Sequence, residues 1–309
     1  MTASRLETAP DPRGLVALVA GAALLGFAAM LVRWAAHAGP LVVGFYRMAF
    51  ALPIVAWMVF RRGAVGTRSG RLWALVAGAC FVGDLWMWHT ALHHTSAANA
   101  TLLVTLAPIW VAVVSVLWLG IRLPARFWVG VVAALGGGLV LGLAKGARWG
   151  TGLGELLGAL ASLAYGAFTL ALGRARRDLS AQEALLWVVL AGAGLFGGLG
   201  WATGEAFRGF TWGAWAALLA LGLGVQVLAW WLITWGMGHV PTNLGAMGLM
   251  VQPAATVLLG WLLLAEPLKP MEALGTVLVL AGVGLCVLAP AGRADERGEA
   301  MPGGRRGPS

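Results

Sequence analysis

Residues 82–94, VGDLWMWHTALHH, decide the fold of this chain, because a similar apolar and aromatic pattern returns at residues 227–239 as VLAWWLITWGMGH. The shift is 145 residues, and at that shift the two halves of the chain fall into register without a gap. The matched pairs are Trp86 with Trp231, His94 with His239, Pro108 with Pro253, Gly130 with Gly275, and Gly137 with Gly282. A duplication of this length predicts two structural repeats.

The composition indicates a membrane as the solvent of this chain. It is 60% hydrophobic and 11% charged, whereas soluble domains carry about 25% charged residues. The net charge of +9 does not indicate nucleic acid, because the basic residues form short clusters between apolar segments. A nucleic-acid groove would instead show a basic stripe with interleaved aromatic residues. We therefore expect an all-α polytopic membrane protein with no nucleic-acid partner.

Ten apolar segments are long enough to cross a bilayer, whose core needs about 20 residues per helix. We place them at 14–34, 41–60, 72–92, 97–118, 126–144, 151–172, 182–203, 212–236, 242–264 and 270–290. Because each repeat has an odd number of spans, the second enters the membrane from the opposite face, which makes an inverted repeat. The predicted units are a first five-helix repeat at 14–146 and a second at 147–290, with disordered tails at 1–13 and 291–309.

The distribution of Lys and Arg predicts the orientation. With the N-terminus inside, the inner segments hold fifteen of these residues, including clusters at 61–71, 122–126 and 174–177. The outer segments hold five, namely Arg33, Lys145, Arg148, Arg208 and Lys269. Since cytoplasmic loops are enriched in positive residues, both termini are expected to be cytoplasmic.

Two short stretches carry a resemblance to a known family. GELLGALASLAYGAF at 154–168 opens the second half, and LAEPL at 264–268 is followed by AGV at 281–283. With Arg47 in the second span, the chain resembles the EamA-type branch of the drug/metabolite transporter superfamily. Within that branch it is most similar to the YddG-type bacterial exporters of aromatic and other amino acids. The resemblance implies a ten-helix carrier in the bacterial inner membrane that exports amino acids or other metabolites.

The chain departs from the family pattern at two places. Ile121 and Arg122 stand where an acidic residue often occurs, and Gly192 stands at the position equivalent to Arg47. The two ends of the expected transport pathway are therefore not chemically equivalent.

Asp84 is the one formal charge between Arg71 and Arg122, and it falls within the third span. A carboxylate inside a membrane is costly, so by default it indicates a functional site. At a rise of about 1.5 Å per residue, Asp84 lies roughly 12 Å and Arg47 roughly 9 Å from the outer ends of their helices. We predict either an Arg47–Asp84 ion pair or a neutral Asp84 that carries protons. A purely structural ion pair is the alternative.

Pro108 and Pro253 occupy equivalent positions near the middle of the fourth and ninth spans. A proline inside a helix frees a carbonyl and kinks the helix, and in a bilayer the freed group needs a partner or a cavity. We predict that both prolines are hinges lining a central cavity, with static packing as the alternative. The full set of predicted cavity residues is Tyr46, Asp84, Trp88, Thr105, Tyr165, Gln226, Trp230 and Gln252.

The aromatic members of this set are expected to stack on an apolar or aromatic substrate, although aromatic residues also form belts at the membrane interface. No metal and no cofactor are expected. His89 and His93 have a spacing that suits zinc, but no third ligand is close in the sequence.

Several functions compete for such a chain. The best fit is a secondary transporter that exports small amphipathic metabolites, amino acids including aromatic ones foremost, by alternating access. A proton-coupled exporter of other metabolites or drugs is the nearest alternative. A membrane-embedded enzyme would need more catalytic groups than Arg47 and Asp84, and a channel would show rings of charge or a carbonyl filter. Since one chain holds both repeats, we expect a monomer whose partners are its small-molecule substrate and the lipid bilayer.

Overall fold

The computed structural model of the chain describes residues 11–35, 38–63, 65–95, 97–147, 152–264 and 267–289. Most of both predicted tails lies outside these residues, as does Glu266 of the LAEPL stretch. The first helix begins at Pro12, inside the predicted tail at 1–13. Asp11 caps this helix, because its carboxylate accepts a hydrogen bond from the Arg13 backbone N–H at 2.9 Å.

The described residues form ten membrane helices and contain no strand. Helix α1 spans Pro12–Leu25 and Ala28–Trp34, α2 Pro40–Arg62, α3 Arg68–His94, α4 Ala97–Val104 and Ala107–Leu117, α5 Ala125–Ala144, α6 Leu153–Ala175, α7 Ala181–Ala202, α8 Trp212–Ala220, Leu221–Ala229 and Trp230–Gly236, α9 Thr242–Leu249 and Val251–Leu264, and α10 Pro270–Val287. Each is long and apolar enough to cross a bilayer, which confirms the prediction of ten transmembrane helices. Several helices run a few residues beyond the predicted spans, because polar residues and caps at the bilayer surface extend a helix past its apolar part.

The packing of the helices follows the duplication. Helix α6 packs against α3 and α4, and its repeat equivalent α1 packs against α8 and α9, the equivalents of α3 and α4. Two further contacts, α2–α7 and α5–α10, each join a helix to its own repeat equivalent. Exchanging helices α1–α5 with α6–α10 therefore leaves this set of contacts unchanged. The fold consists of two five-helix repeats related by a pseudo-two-fold axis.

The α5–α10 contact gives the direction of that axis. A Cβ added at Gly130 would stand 2.6 Å from the Gly282 carbonyl oxygen, and one added at Gly137 would stand 2.8 Å from the Gly275 carbonyl oxygen. The shift of 145 residues turns one contact into the other. Since residue numbers rise along α5 while they fall along α10, the two helices are antiparallel. A two-fold axis that relates antiparallel membrane helices lies in the membrane plane, so the repeats are inverted, as predicted.

Helices α4 and α9 are interrupted at equivalent positions near their middles. Helix α4 stops at Val104 and resumes at Ala107, and α9 stops at Leu249 and resumes at Val251. Each interruption precedes a proline, which has no N–H to donate and whose ring clashes with the preceding turn. At the α4 interruption the Thr105 hydroxyl donates to the Leu102 carbonyl at 2.6 Å.

Helices α1 and α8 are irregular in ways that their repeat partners are not. Helix α1 is broken at Gly26 and Phe27, whereas α6 is continuous. Helix α8 contains a π-helical segment, Leu221–Ala229, whereas α3 is a regular α-helix. Such π segments widen the helix locally and occur frequently at functional sites. This one carries Gln226 into the protein interior, where its side chain is fully buried.

Two buried or half-buried carboxylates fasten loops to helix starts at α2 and α7. Glu183, near the start of α7, accepts hydrogen bonds from the Gly66 backbone N–H at 3.1 Å and from Arg71 Nε at 3.1 Å. Glu205, in the α7–α8 loop, accepts from the backbone N–H groups of Leu41 at 3.4 Å and Val42 at 3.0 Å. The second arrangement places a negative charge at the positive end of α2, where it stabilises the helix.

Candidate functional site

A cavity of about 110 Å³ lies between the two repeats, surrounded by helices α1–α4, α6, α8 and α9. The interrupted middles of α4 and α9 both contribute to its wall. Five repeat-equivalent pairs from these two helices line it, namely Thr101 with Ala246, Val104 with Leu249, Thr105 with Met250, Ala107 with Gln252, and Pro108 with Pro253. The cavity therefore sits where the pseudo-two-fold axis crosses the membrane interior.

Most of the predicted site residues come together here. Asp84, Trp88, Thr105, Tyr165, Trp230 and Gln252 line the cavity, as do Arg47 and the two predicted hinges, Pro108 and Pro253. Tyr46 and Gln226 are not among the lining residues of this cavity. The roles assigned to these residues stay predictions, but the structure brings most of them to one place.

Tyr46 lies elsewhere because it is adjacent to Arg47, and successive side chains on an α-helix point about 100° apart. Its hydroxyl donates to the Phe207 carbonyl oxygen at 2.7 Å. Its ring packs in an aromatic cluster, with centroids 4.9 Å from Trp215 and 5.5 Å from Phe50. These contacts hold the α7–α8 loop against α2, which is a structural role.

Gln226 lies behind the cavity wall and positions Arg47. The Arg47 Nε donates to the Gln226 Oε1 at 2.9 Å, and the guanidinium carbon lies 5.6 Å from the centroid of the Phe81 ring. Arg47 is 3% exposed and Gln226 is fully buried. The neutral amide and the ring orient the guanidinium, and no carboxylate among the described residues forms a salt bridge with it.

Asp84 does not form the predicted ion pair with Arg47 in this structure. Both side chains line the same cavity, but the Arg47 Nε donates its hydrogen bond to Gln226. Asp84 is 5% exposed, and its Oδ1 has no hydrogen-bond partner among the described residues.

The remaining wall is aromatic. Phe81, Phe168 and Trp230 pack against one another, with ring centroids 4.9 to 5.1 Å apart. Tyr165 stacks on Phe168 at 5.9 Å with an interplanar angle of 8°. Trp230 is 3% exposed, and its Nε1 lacks a hydrogen-bond partner within the described part of the chain. The cavity wall thus includes the side chains of Phe81, Tyr165, Trp88 and Trp230.

Sequence reasoning missed several lining residues. Phe81, Thr101 and Thr169 line the cavity, as do Leu25 and Ala28 beside the break in α1. The shift of 145 residues could have identified two further lining residues. The repeat equivalents of Thr105 and Gln252 are Met250 and Ala107, and both line the cavity. No sequence pattern marked the α1 residues, because the break in α1 has no counterpart in α6.

Comparisons with known proteins agree with this architecture. The EamA-like transporter family matches the chain twice, over residues 12–143 and 152–288. One solved structure, described only as the crystal structure of a protein, has a TM-score of 0.75 and 20% sequence identity, covering 88% of this chain and 95% of its own. That likeness shows the fold alone. The curated proteins include no match.

The two family matches coincide with the two inverted repeats and leave only the ends and a short connection unmatched. The ten apolar helices make the protein a multi-pass membrane protein. It is therefore a membrane transporter of the drug/metabolite type, and the chain belongs to the EamA-like transporter family.

Proposed function

We propose that this transporter exports small amphipathic metabolites across the bacterial inner membrane by alternating access. Its main substrates under this proposal are amino acids, including aromatic ones. The observation that carries the proposal is the cavity at the interrupted middles of α4 and α9, where apolar ring faces and two opposite charges meet. Amphipathic molecules need both kinds of surface. A resemblance to the YddG-type amino-acid exporters supports the same substrate class.

The alternating-access mechanism is supported by the placement of the interruptions. Pro108 and Pro253 follow equivalent breaks in two helices that line the cavity. In an inverted repeat the two halves can exchange conformations, which moves the opening of a shared cavity from one face of the membrane to the other. We propose that both prolines act as hinges in this exchange.

The size of the cavity bears on the substrate. At about 110 Å³, it is smaller than the cavity of about 150 Å³ that holds benzene in an engineered protein. In this conformation the site fits a small side chain better than an aromatic one. Transport of an aromatic amino acid requires α4 and α9 to move apart at their breaks.

Counterflow in proteoliposomes tests the function. Vesicles that contain the purified transporter and an excess of one unlabelled amino acid are diluted into a trace of the same radiolabelled amino acid. A carrier accumulates label transiently, because internal substrate accelerates entry of label, whereas a pore shows no such stimulation. Absence of counterflow for every amino acid in a broad panel, alongside release of label through the protein, would contradict a carrier.

A second candidate is a proton-coupled exporter of other metabolites or drugs. It is favoured by Asp84, whose buried and unpartnered Oδ1 suits a carboxyl group that binds and releases a proton. Asp84→Asn removes the titratable proton and preserves the shape of the side chain. Under this candidate the variant exchanges substrate at a rate that no longer depends on pH, and an unchanged pH profile would eliminate the coupling role.

The same proposal includes the topology and the assembly state. We propose that both termini lie in the cytoplasm, as the clusters of Arg between the inner ends of the helices indicate. We also propose that the chain works as a monomer, since helices of both repeats line the cavity within one chain.

A further inference from the structure

We propose that Arg47 and Asp84 form the two poles of a head-group site that binds the carboxylate and the ammonium of a zwitterionic α-amino acid. This inference rests on the proposed transport function and specifies how the substrate is recognised. Both side chains line the cavity, and both are at least nine-tenths buried.

The arginine pole is prepared for a carboxylate. Gln226 holds the guanidinium through Nε at 2.9 Å, and the Phe81 ring lies against it at 5.6 Å. A guanidinium fixed in this way loses little side-chain entropy when it binds, and its planar fork matches a carboxylate. Because a neutral amide does not compensate a buried charge, an anionic ligand would remove the cost of burying Arg47.

The aspartate pole is prepared for an ammonium. The Oδ1 of Asp84 is buried without a hydrogen-bond partner in the described part of the chain, and an unmet buried acceptor is costly. An ammonium has three donors and carries the opposite charge, so it satisfies this oxygen and pairs with the carboxylate.

The two poles together select a zwitterion over a singly charged molecule. Arg47 and Asp84 line the same cavity, so a single ligand in that cavity can present one group to each of them. An amine would leave Arg47 uncompensated, and a carboxylic acid would leave Asp84 uncompensated. A zwitterion compensates both and adds no net charge to the membrane interior.

The rest of the wall selects the side chain. Leu85, Val104 and Leu249 present apolar surface next to the poles, and the volume of about 110 Å³ limits what fits there. We therefore infer that small aliphatic amino acids such as alanine and valine bind most tightly to this conformation.

Three small molecules that share the isopropyl side chain of valine test the inference. Valine carries both charged groups, isobutylamine lacks the carboxylate, and isovalerate lacks the ammonium. The purified transporter is titrated with each, and the dissociation constants are taken from the ligand-dependent rise in melting temperature. Valine should bind about tenfold or more tightly than either analogue, since each analogue forfeits one charged hydrogen-bonded contact. Equal binding of valine and one analogue would overturn the inference.

Two variants locate the poles. Asp84→Asn should lower the affinity for valine about tenfold and leave the affinity for isovalerate unchanged. Arg47→Gln should lower the affinity for valine about tenfold and leave the affinity for isobutylamine unchanged. Arg174→Gln is the control, because Arg174 is a half-exposed residue that pairs with Asp178 away from the cavity. Valine binding by either cavity variant at the wild-type level, or an equal loss in the control, would refute the assignment. If a cavity variant does not fold, the probe series on the wild-type protein decides.

The outcome is separable from that of the proposed function. If the protein shows counterflow of another metabolite but binds none of alanine, valine and phenylalanine, the head-group site is wrong and the carrier function stands. If it shows no counterflow at all, the carrier function itself fails.

Discussion

The α5–α10 contact allows two neighbouring glycines to be compared in a single experiment. Gly136 and Gly137 are adjacent in α5, but a Cβ added at Gly136 would meet no atom within 4 Å. A Cβ added at Gly137 would stand 2.5 Å from the Val279 backbone nitrogen and 2.8 Å from the Gly275 carbonyl oxygen. We predict that Gly137→Ala destabilises the protein and that Gly136→Ala does not.

The magnitude follows from the distances. Ordinary contacts of a Cβ begin at 3.4 Å, so the two backbones would have to separate locally by nearly an ångström. Overpacking of this kind costs about 1–3 kcal/mol. Both variants gain about 1 kcal/mol of helix propensity from replacing glycine by alanine, and this gain cancels when they are compared with each other. Gly137→Ala should therefore melt roughly 2 to 10 °C below Gly136→Ala.

Intrinsic tryptophan fluorescence during heating in detergent measures the difference, because the chain contains 17 Trp. The repeat supplies a second test at the related contact, where a Cβ at Gly282 would stand 2.4 Å from the Ala134 nitrogen. A Cβ at Gly284 meets no atom within 4 Å, so Gly284→Ala is the matched control on α10. Equal melting temperatures within both pairs would refute the glycine-mediated packing and, with it, this evidence for the in-plane axis.

Three further predictions test other parts of the structure. Glu205→Gln removes the charge that caps the start of α2 and should lower stability by about 0.5–2 kcal/mol, measured by thermal melting with Glu205→Asp as a milder comparison. Cysteines introduced at Val65 and Arg208 should react with a membrane-impermeant reagent from opposite sides of the bilayer, and reaction from one side only would rule out the inverted arrangement. Trp110→Phe removes the 2.9 Å hydrogen bond from its indole nitrogen to Ser162 and should cost about 1 kcal/mol; an unchanged melting temperature would show that this α4–α6 bond adds nothing.

The helices and their duplication were predictable from the sequence because the bilayer imposes strong constraints. A spanning segment needs enough apolar residues to cross the hydrocarbon core, and each predicted span corresponds to a helix in the structure. The register of 145 residues then fixed which helices are equivalent. The breaks in α4 and α9 were predictable in position, because Pro108 and Pro253 donate no backbone N–H and their rings clash with the preceding turn.

The detailed arrangement of the site was less predictable. Proximity of Arg47 and Asp84 follows from their depths, but their separation depends on Gln226, which a π-helical segment turns toward Arg47. The hydropathy of a segment does not reveal whether it forms an α-helix or a π-helix. The placement of Tyr46 was missed for a different reason: a residue's neighbour in sequence shares its depth in the membrane but not its direction around the helix.

The charged poles of the cavity come from one repeat only. At the positions equivalent to Arg47 and Asp84, the second repeat has Gly192, against which the Met48 side chain packs, and Ala229, which is fully buried. A dimer of two identical five-helix subunits would have to hold each charge twice, with like charges facing each other in a medium that screens them poorly. Fusion of the halves into one polypeptide lifts that requirement. The duplication thus left the halves free to diverge, so that one half carries both charges and the other carries small residues at the equivalent positions.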